Sequence, residues 1–210
     1  MAEDAVDPLM KELCKCRVLE SLCLSSVPLD VRFDAVAHAR WERLQTLQLH
    51  SCTFDEDAVE AIAYCERLWR LEIYCSKTKV TAAMLATLLS ELKRLEDVSF
   101  WDSLADDVTP DAVASIGTSL RYLRRLNLGA NRNVITDEAL QRLSATPAAP
   151  QLTHLDVGYN NFTDVGLRCL TRFTQVEDLS LWKCDQVQSD DDFVCLSELR
   201  RLRRLTVQLT

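Results

Sequence analysis

Glycine is scarce in this chain, four residues in 210, and proline is little commoner at five. With so few glycines there is no glycine-rich loop to cradle a phosphate, and no Ser-His-Asp order is tied to a sharp turn, so no enzyme activity is expected. No stretch approaches the roughly 18 uninterrupted apolar residues of a membrane span. The first residues, Met1 to Asp7, are acidic where a secretory or mitochondrial leader would be basic. Positive charge is also in deficit: 24 Lys and Arg against 32 Asp and Glu give a net charge of −8. That balance disfavours nucleic acid as a partner, since such affinity rests on neutralising phosphates. Cys14 and Cys16 are too close for a zinc knuckle and no His-x-His follows, so neither metal nor cofactor is expected. The nine cysteines are odd in number and scattered, which reads as thiols in a reducing, cytoplasmic setting.

What is present is repetition. The pattern Leu-x-x-Leu-x-Leu, with Val, Ile or Phe allowed, begins at Leu19, Leu44, Leu68, Leu95, Leu123, Leu152, Val176 and Leu202, at spacings of 25, 24, 27, 28, 29, 24 and 26 residues. Such a period marks a stacked solenoid, because one unit cannot bury its apolar face alone. Each block alternates in period two and predicts a short strand with its leucines inward. Three positions after the third leucine stand Cys52, Ser76, Ser103, Asn131, Asn160 and Cys184, side chains suited to bonding the turn backbone. Next comes an apolar residue followed by a helix cap: Phe33-Asp34, Phe54-Asp55, Val80-Thr81, Val108-Thr109, Ile135-Thr136 and Phe162-Thr163, with Ser189 the seventh cap. Apolar pairs such as Val59/Ile62 and Leu140/Leu143 fall four and seven residues after their caps, and Phe193/Leu196 continues the series, so a helix is predicted in each repeat.

Parallel strands separated by helices give an α/β, right-handed solenoid with about eight strands on the concave side and helices on the convex side. Helices are wider than strands, so the sheet lies inside the curve; seven gaps of about 4.8 Å give it a width of roughly 34 Å. The reading is one continuous domain over residues 19–210, preceded at 1–18 by an N-terminal helical cap or partial repeat centred on Leu9 to Cys16. His38 falls where the first helix needs an apolar residue, and Trp41 is expected to fill that space. Residues 146–150, Thr-Pro-Ala-Ala-Pro, read as a loop. Cys65, Cys169 and Cys195 read as small buried residues on helix faces, while Cys23 and Cys75 fall on or beside the concave face.

The concave face is the set of non-leucine strand positions. Just after the third leucine stand Ser25, His50, Tyr74, Trp101, Gly129, Gly158, Trp182 and Gln208, with Trp69 and Tyr159 on neighbouring rows. Trp and Tyr dominate binding hot spots, and a groove floored by Gly129 and Gly158 and walled by Trp101 and Trp182 would accept a partner's side chain or helix. The alternative is that these rings pack on one another as cross-strand pairs. Around them lie Arg70, Glu72, Asp97, Asp102, Arg125, His154, Asp156, Asp178 and Arg204, a mixture of signs that suits a protein partner. His50 beside Glu72 and His154 beside Asp178 read as surface pairs. Acidic runs where helices start (Asp55 to Asp57, Asp190 to Asp192) and basic runs where they end (Lys93-Arg94, Arg200 to Arg204) complement the helix dipoles or offer a rim to an acidic protein or RNA.

The segments LTHLDVGYNNFTDVGLRCL and LRRLNLGANRNVITDEALQRL resemble leucine-rich repeats. LQTLQLHSCTFDEDAVEAIAYCERL and VEDLSLWKCDQVQSDDDFVCL resemble the cysteine-containing subtype, with Cys in the Asn place, and the longer copies resemble ribonuclease-inhibitor repeats. The resemblance specifies the fold and says little of function; the concave aromatics and mixed charge point to a non-enzymatic interaction scaffold that binds a protein on its concave face within a larger assembly. Its alternatives are the substrate-recognition arm of an F-box-type ubiquitin ligase, which the resemblance suggests and which would need an adaptor-binding segment in a longer chain or a partner, or a regulator docking on an enzyme. The partner-binding candidates are therefore His50, Trp69, Tyr74, Trp101, Asp102, Gly129, His154, Gly158, Tyr159 and Trp182. A second contact, with a partner or by self-association, is expected at the C-terminal end, where Leu202, Leu205 and Val207 lack a following helix.

Overall fold

A computed structural model describes residues 15–29, 41–187 and 190–208. Eight strands form one sheet in sequence order: β1 (Ser21–Ser25), β2 (Thr46–His50), β3 (Arg70–Tyr74), β4 (Asp97–Ser99), β5 (Arg125–Asn127), β6 (His154–Asp156), β7 (Asp178–Trp182) and β8 (Arg204–Gln208). All neighbours pair in parallel, and the register sets leucine beside leucine: Leu22 on Leu47, Leu47 on Leu71, Leu71 on Val98, and onward through Leu126, Leu155 and Leu179 to Leu205. A slip of one residue would turn every leucine out of the core. The α/β solenoid expected from the period is the architecture observed.

Among the described residues five α-helices alternate with the strands: α1 (Glu56–Ala63), α2 (Ala82–Glu91), α3 (Pro110–Ser119), α4 (Asp137–Ser144) and α5 (Asp164–Cys169). Each begins at its expected cap. Asp55, Thr81, Thr109, Thr136 and Thr163 hold extended backbone and accept a bond from a first-turn N–H. The apolar pairs after the caps, from Val59/Ile62 to Leu167/Leu170, are all buried and meet the strand leucines in a single core. Burying one such side chain stabilises by about 1.5–3 kcal/mol, and the same face recurs in each repeat. Lys93 donates to the Leu89 carbonyl at 2.6 Å, the role expected of a cation past a helix end.

A polar ladder ties the turns together. The Asn131 amide donates to the carbonyls of Phe100 (2.7 Å), Leu128 (2.9 Å) and Gly129 (3.0 Å), while its oxygen accepts from the N–H groups of Ser103 (3.1 Å) and Leu104 (2.9 Å). Asn160 repeats the pattern one turn on, reaching the Leu128 and Val157 carbonyls. Ser76 and Ser103 bond carbonyls of the preceding repeat, and the Cys52 and Cys184 thiols donate to Leu24 and Val157, each at 3.6 Å. Burial pushes the Cys184 thiol up to about 11 and the Cys65 thiol to about 12, so both stay protonated.

Three expectations need adjustment. The seventh repeat carries a 3-10 helix at Asp190–Glu198 instead of an α-helix. The segment 146–150 is no free loop: Thr146, Ala148 and Ala149 are buried, a 3-10 turn spans Ala149–Gln151, and Thr146 fills the space where a Cβ on Gly117 would lie 2.1 Å from its hydroxyl. Cys169 and Cys195 are half-buried, at the edges of the core. Cys23 is exposed, whereas Cys75 is only half-exposed. Trp41 is buried as expected. The Phe33-Asp34 pair, His38, Ser189 and nearly all of the N-terminal cap lie outside the described residues, so nothing here bears on them. Among the described residues no helix is long and apolar enough to cross a membrane.

Candidate functional site

Every described turn after a strand uses the same backbone device. Ser26, Ser51, Cys75, Asp102, Ala130, Tyr159 and Lys183 all have positive φ, between 46° and 59°, and each stands two residues after the third leucine. A left-handed residue that is not glycine costs on the order of 1 kcal/mol, and the solenoid repeats that cost seven times. It also places Tyr159 and Lys183 beside the row that follows the third leucine.

A chain of rings results. His50 meets Tyr74 edge-on at 5.8 Å; Tyr74 stacks on Trp101 at 5.8 Å with planes 10° apart. Trp101 meets Tyr159 at 5.7 Å, and Tyr159 meets Trp182 at 4.9 Å, both edge-to-face. The Lys183 ammonium sits 5.3 Å from the Tyr159 ring and 5.4 Å from that of Trp182. Each ring pair contributes about 0.5–1.5 kcal/mol beyond its buried area. Tyr74 and Trp182 still expose 41% and 40% of their surface. The groove expected between two indole walls is replaced by a shelf. A Cβ on Gly129 would lie 2.2 Å from the Trp101 ring, so the indole lies down across Gly129, and the left-handed Tyr159 brings its ring between the two tryptophans. Gly158 is buried against the backbone of Trp182.

Beside the shelf runs a polar band. Arg70 grips Glu72 at 2.5 Å and approaches Asp97 at 3.7 Å; His50 lies 3.8 Å from Glu72; Arg204 pairs with Asp178 at 2.9 Å. Gln48 also donates to Glu72. Asp156 accepts from the Gly158 N–H at 2.9 Å and from the Ser180 hydroxyl. Burial pushes the carboxyls of Asp156 and Asp97 above the usual carboxylate range, opposed at Asp97 by Arg70 and Arg125 and at Asp156 by its hydrogen bonds. These groups line a depression of about 210 Å³ with Arg125, Asn127, His154, Asp178 and Ser180. His154 stands opposite Asp178 across one strand gap, with its Nδ1 2.9 Å from the Thr153 hydroxyl.

The ten expected residues thus divide. His50, Tyr74, Trp101, Tyr159 and Trp182 join in the ring chain, with Gly129 and Gly158 beneath it. His154 belongs to the polar depression. Asp102 occupies a left-handed turn position and pairs with Lys79 at 2.7 Å. Trp69 stands apart, at the strand starts, in a separate depression of about 850 Å³ with Arg67, Arg94, Glu96 and Tyr122. Lys183 and Ser180 were not among the expected residues. Lys183 was findable, since it is the counterpart of Tyr159 one repeat later. Among the described residues no group of three or more His, Cys, Asp or Glu is placed to hold a metal ion.

A family model described as leucine-rich repeat matches residues 149–170. No curated protein matches the chain. Among solved structures, an internalin (inlF) of Listeria monocytogenes str. 4b F2365 superposes over 95% of this chain with a TM-score of 0.62 at 19% identity, and this chain spans 51% of that one. An internalin C2 (inlC2) of the same strain superposes over 96% of this chain and 93% of its own length, with a TM-score of 0.63 at 15% identity. The TLR13–ssRNA13 complex matches 78% of this chain and 22% of its own, with a TM-score of 0.53 at 17% identity. At these identities the likeness is one of fold, and the fold is the leucine-rich repeat solenoid.

Proposed function

We propose that this chain is a non-enzymatic interaction module that binds a protein partner on its concave face, centred on the ring shelf. The observation that carries this reading is the unbroken contact of five rings across six repeats, at 4.9–5.8 Å, with both large outer rings still about 40% exposed. Mutual packing holds the rings in place, so little side-chain entropy is lost when a partner covers them. Rigid, half-exposed Trp and Tyr are the side chains on which interfaces depend most. The TLR13 complex contains single-stranded RNA on the same fold; the net charge of −8 here favours a protein instead. The Cys52 and Cys184 thiols support assignment to the cysteine-containing subtype and to a reducing, cytoplasmic compartment, since both act as S–H donors in the turn ladder. They also favour a second reading, the substrate-recognition arm of a ubiquitin ligase, which co-purification of a ligase adaptor would distinguish.

The test is affinity capture with the wild-type chain, a Tyr74→Ala/Trp182→Ala variant and a Tyr64→Ala control, Tyr64 being 74% exposed at the end of α1. A partner retained by wild type and control but reduced at least tenfold with the shelf variant supports the reading. Equal capture by all three overturns it.

A further inference from the structure

The charge pattern of the concave face selects what can cover it. The row next to the rings reads Cys23, Gln48, Glu72, Ser99, Asn127, Asp156, Ser180 and Thr206. Each of these side chains can accept a hydrogen bond and none is a cation. On the following row stand the cations Arg70, Arg125 and Arg204: Arg70 pairs with Glu72 and Asp97, Arg204 with Asp178, and Arg125, which also lines the depression, acts on Asp97. Asp156 is the exception. Among the described residues neither Lys nor Arg forms an ion pair with it, and its neighbour Asp178 adds like charge. A half-buried carboxylate held by one N–H and one hydroxyl, without a counter-charge, is an electrostatic cost that the fold alone does not offset.

We infer that the depression at Asp156 and the shelf beside it receive an arginine side chain of a basic segment of the protein partner, a deepening that rests on the concave-face reading above. A guanidinium presents five N–H groups in one plane, and Asn127, Asp156 and Ser180 offer acceptors around a space of about 210 Å³, the liquid volume of about seven waters. The bordering rings already hold a cation: Lys183 lies over Tyr159 and Trp182 at 5.3 and 5.4 Å, so these faces suit a positive group. A phosphate would meet three carboxylates, Asp97, Asp156 and Asp178, against the single arginine, Arg125, that lines the same space, so the balance of charge disfavours it.

The test uses the intact chain, labelled with nitrogen-15, titrated with N-acetyl-arginine amide, with its uncharged citrulline counterpart and with an oligouridine. The arginine probe is expected to shift the amide signals of Asp156 and Gly158 and the Trp182 indole, and the citrulline probe to leave them in place. Asp156→Asn keeps the oxygen that accepts from Gly158 and should weaken the arginine response at least tenfold. Equal shifts with arginine and citrulline, or a response to oligouridine in their place, overturn the inference, and that comparison needs no variant to fold. A partner lost with the shelf variant but held at wild-type affinity by Asp156→Asn defeats the arginine assignment alone. A partner indifferent to the shelf variant defeats the concave-face reading itself.

Discussion

Replacing Asn131 with Ala should be among the most damaging single changes to this chain. The residue is 4% exposed and its side chain makes five hydrogen bonds, three as donor and two as acceptor. Truncation leaves the Ser103 and Leu104 N–H groups buried without that acceptor, at about 1–3 kcal/mol each. The three carbonyls each have a second lone pair and suffer less. Summing the two orphaned donors gives about 2–6 kcal/mol, against a total stability of about 5–15 kcal/mol for a domain of ordinary size. Asn131→Ser should cost less, because Ser76 and Ser103 fill the same place in other repeats with one and three side-chain bonds. Equilibrium urea unfolding followed by circular dichroism measures both. A loss below about 1 kcal/mol for Asn131→Ala would refute the ladder as a stabilising element.

Three further changes probe the site. Gly129→Ala puts a Cβ 2.2 Å from the Trp101 ring, so the indole should be driven off the shelf; an unchanged Trp101 indole proton shift would contradict that geometry. Ala130→Gly, at φ 59°, removes a left-handed cost of about 1–2 kcal/mol and adds about 0.5–1 kcal/mol of unfolded-chain entropy, so the melting midpoint should rise slightly; a fall would show that the turn is unstrained. Asp156→Asn should stabilise the chain at neutral pH. The folded carboxyl titrates above its unfolded counterpart, so the native state holds the extra proton between the two values and stability falls as pH rises through that window. The advantage of Asn should therefore vanish below the ordinary carboxylate range, and melts of both proteins between pH 3 and pH 7 check it.

The fold was legible because the information that specifies it repeats. Eight leucine blocks, five of the expected caps and six ladder residues each state one local rule several times, and a single irregular copy cannot overturn the sum. Misreadings fell where a side chain's path depends on its neighbours. Tyr159 and Trp182 were visible as exposed aromatics, but nothing in the spacing shows that a left-handed turn carries Tyr159 between two indoles, or that Trp101 lies down on Gly129. The seventh helix failed for a different reason. Apolar spacing at Phe193 and Leu196 satisfies a period of three as well as 3.6 over so short a span, so it does not tell the two helix types apart.

Where local rules agree, the chain is ordinary; the places where they conflict carry the functional argument. Two large rings stay about 40% exposed although the core could bury apolar surface elsewhere. A carboxylate at Asp156 remains half-buried with no ion-paired Lys or Arg among the described residues, one residue-row from rings that already hold a cation. Leucines in the same strands are buried nearly completely, so the sheet is not simply loose. A substitution to Asn would remove the electrostatic penalty with the same shape, and Leu or Thr would serve the exposed ring positions with less risk of association. Both features make the isolated chain less stable or less soluble than a simple alternative would. Each becomes favourable once a partner supplies a flat apolar surface and a positive charge at the spacing of one strand row, about 6–7 Å. Stability and binding should therefore move in opposite directions at Asp156, a pattern that a purely structural residue does not produce.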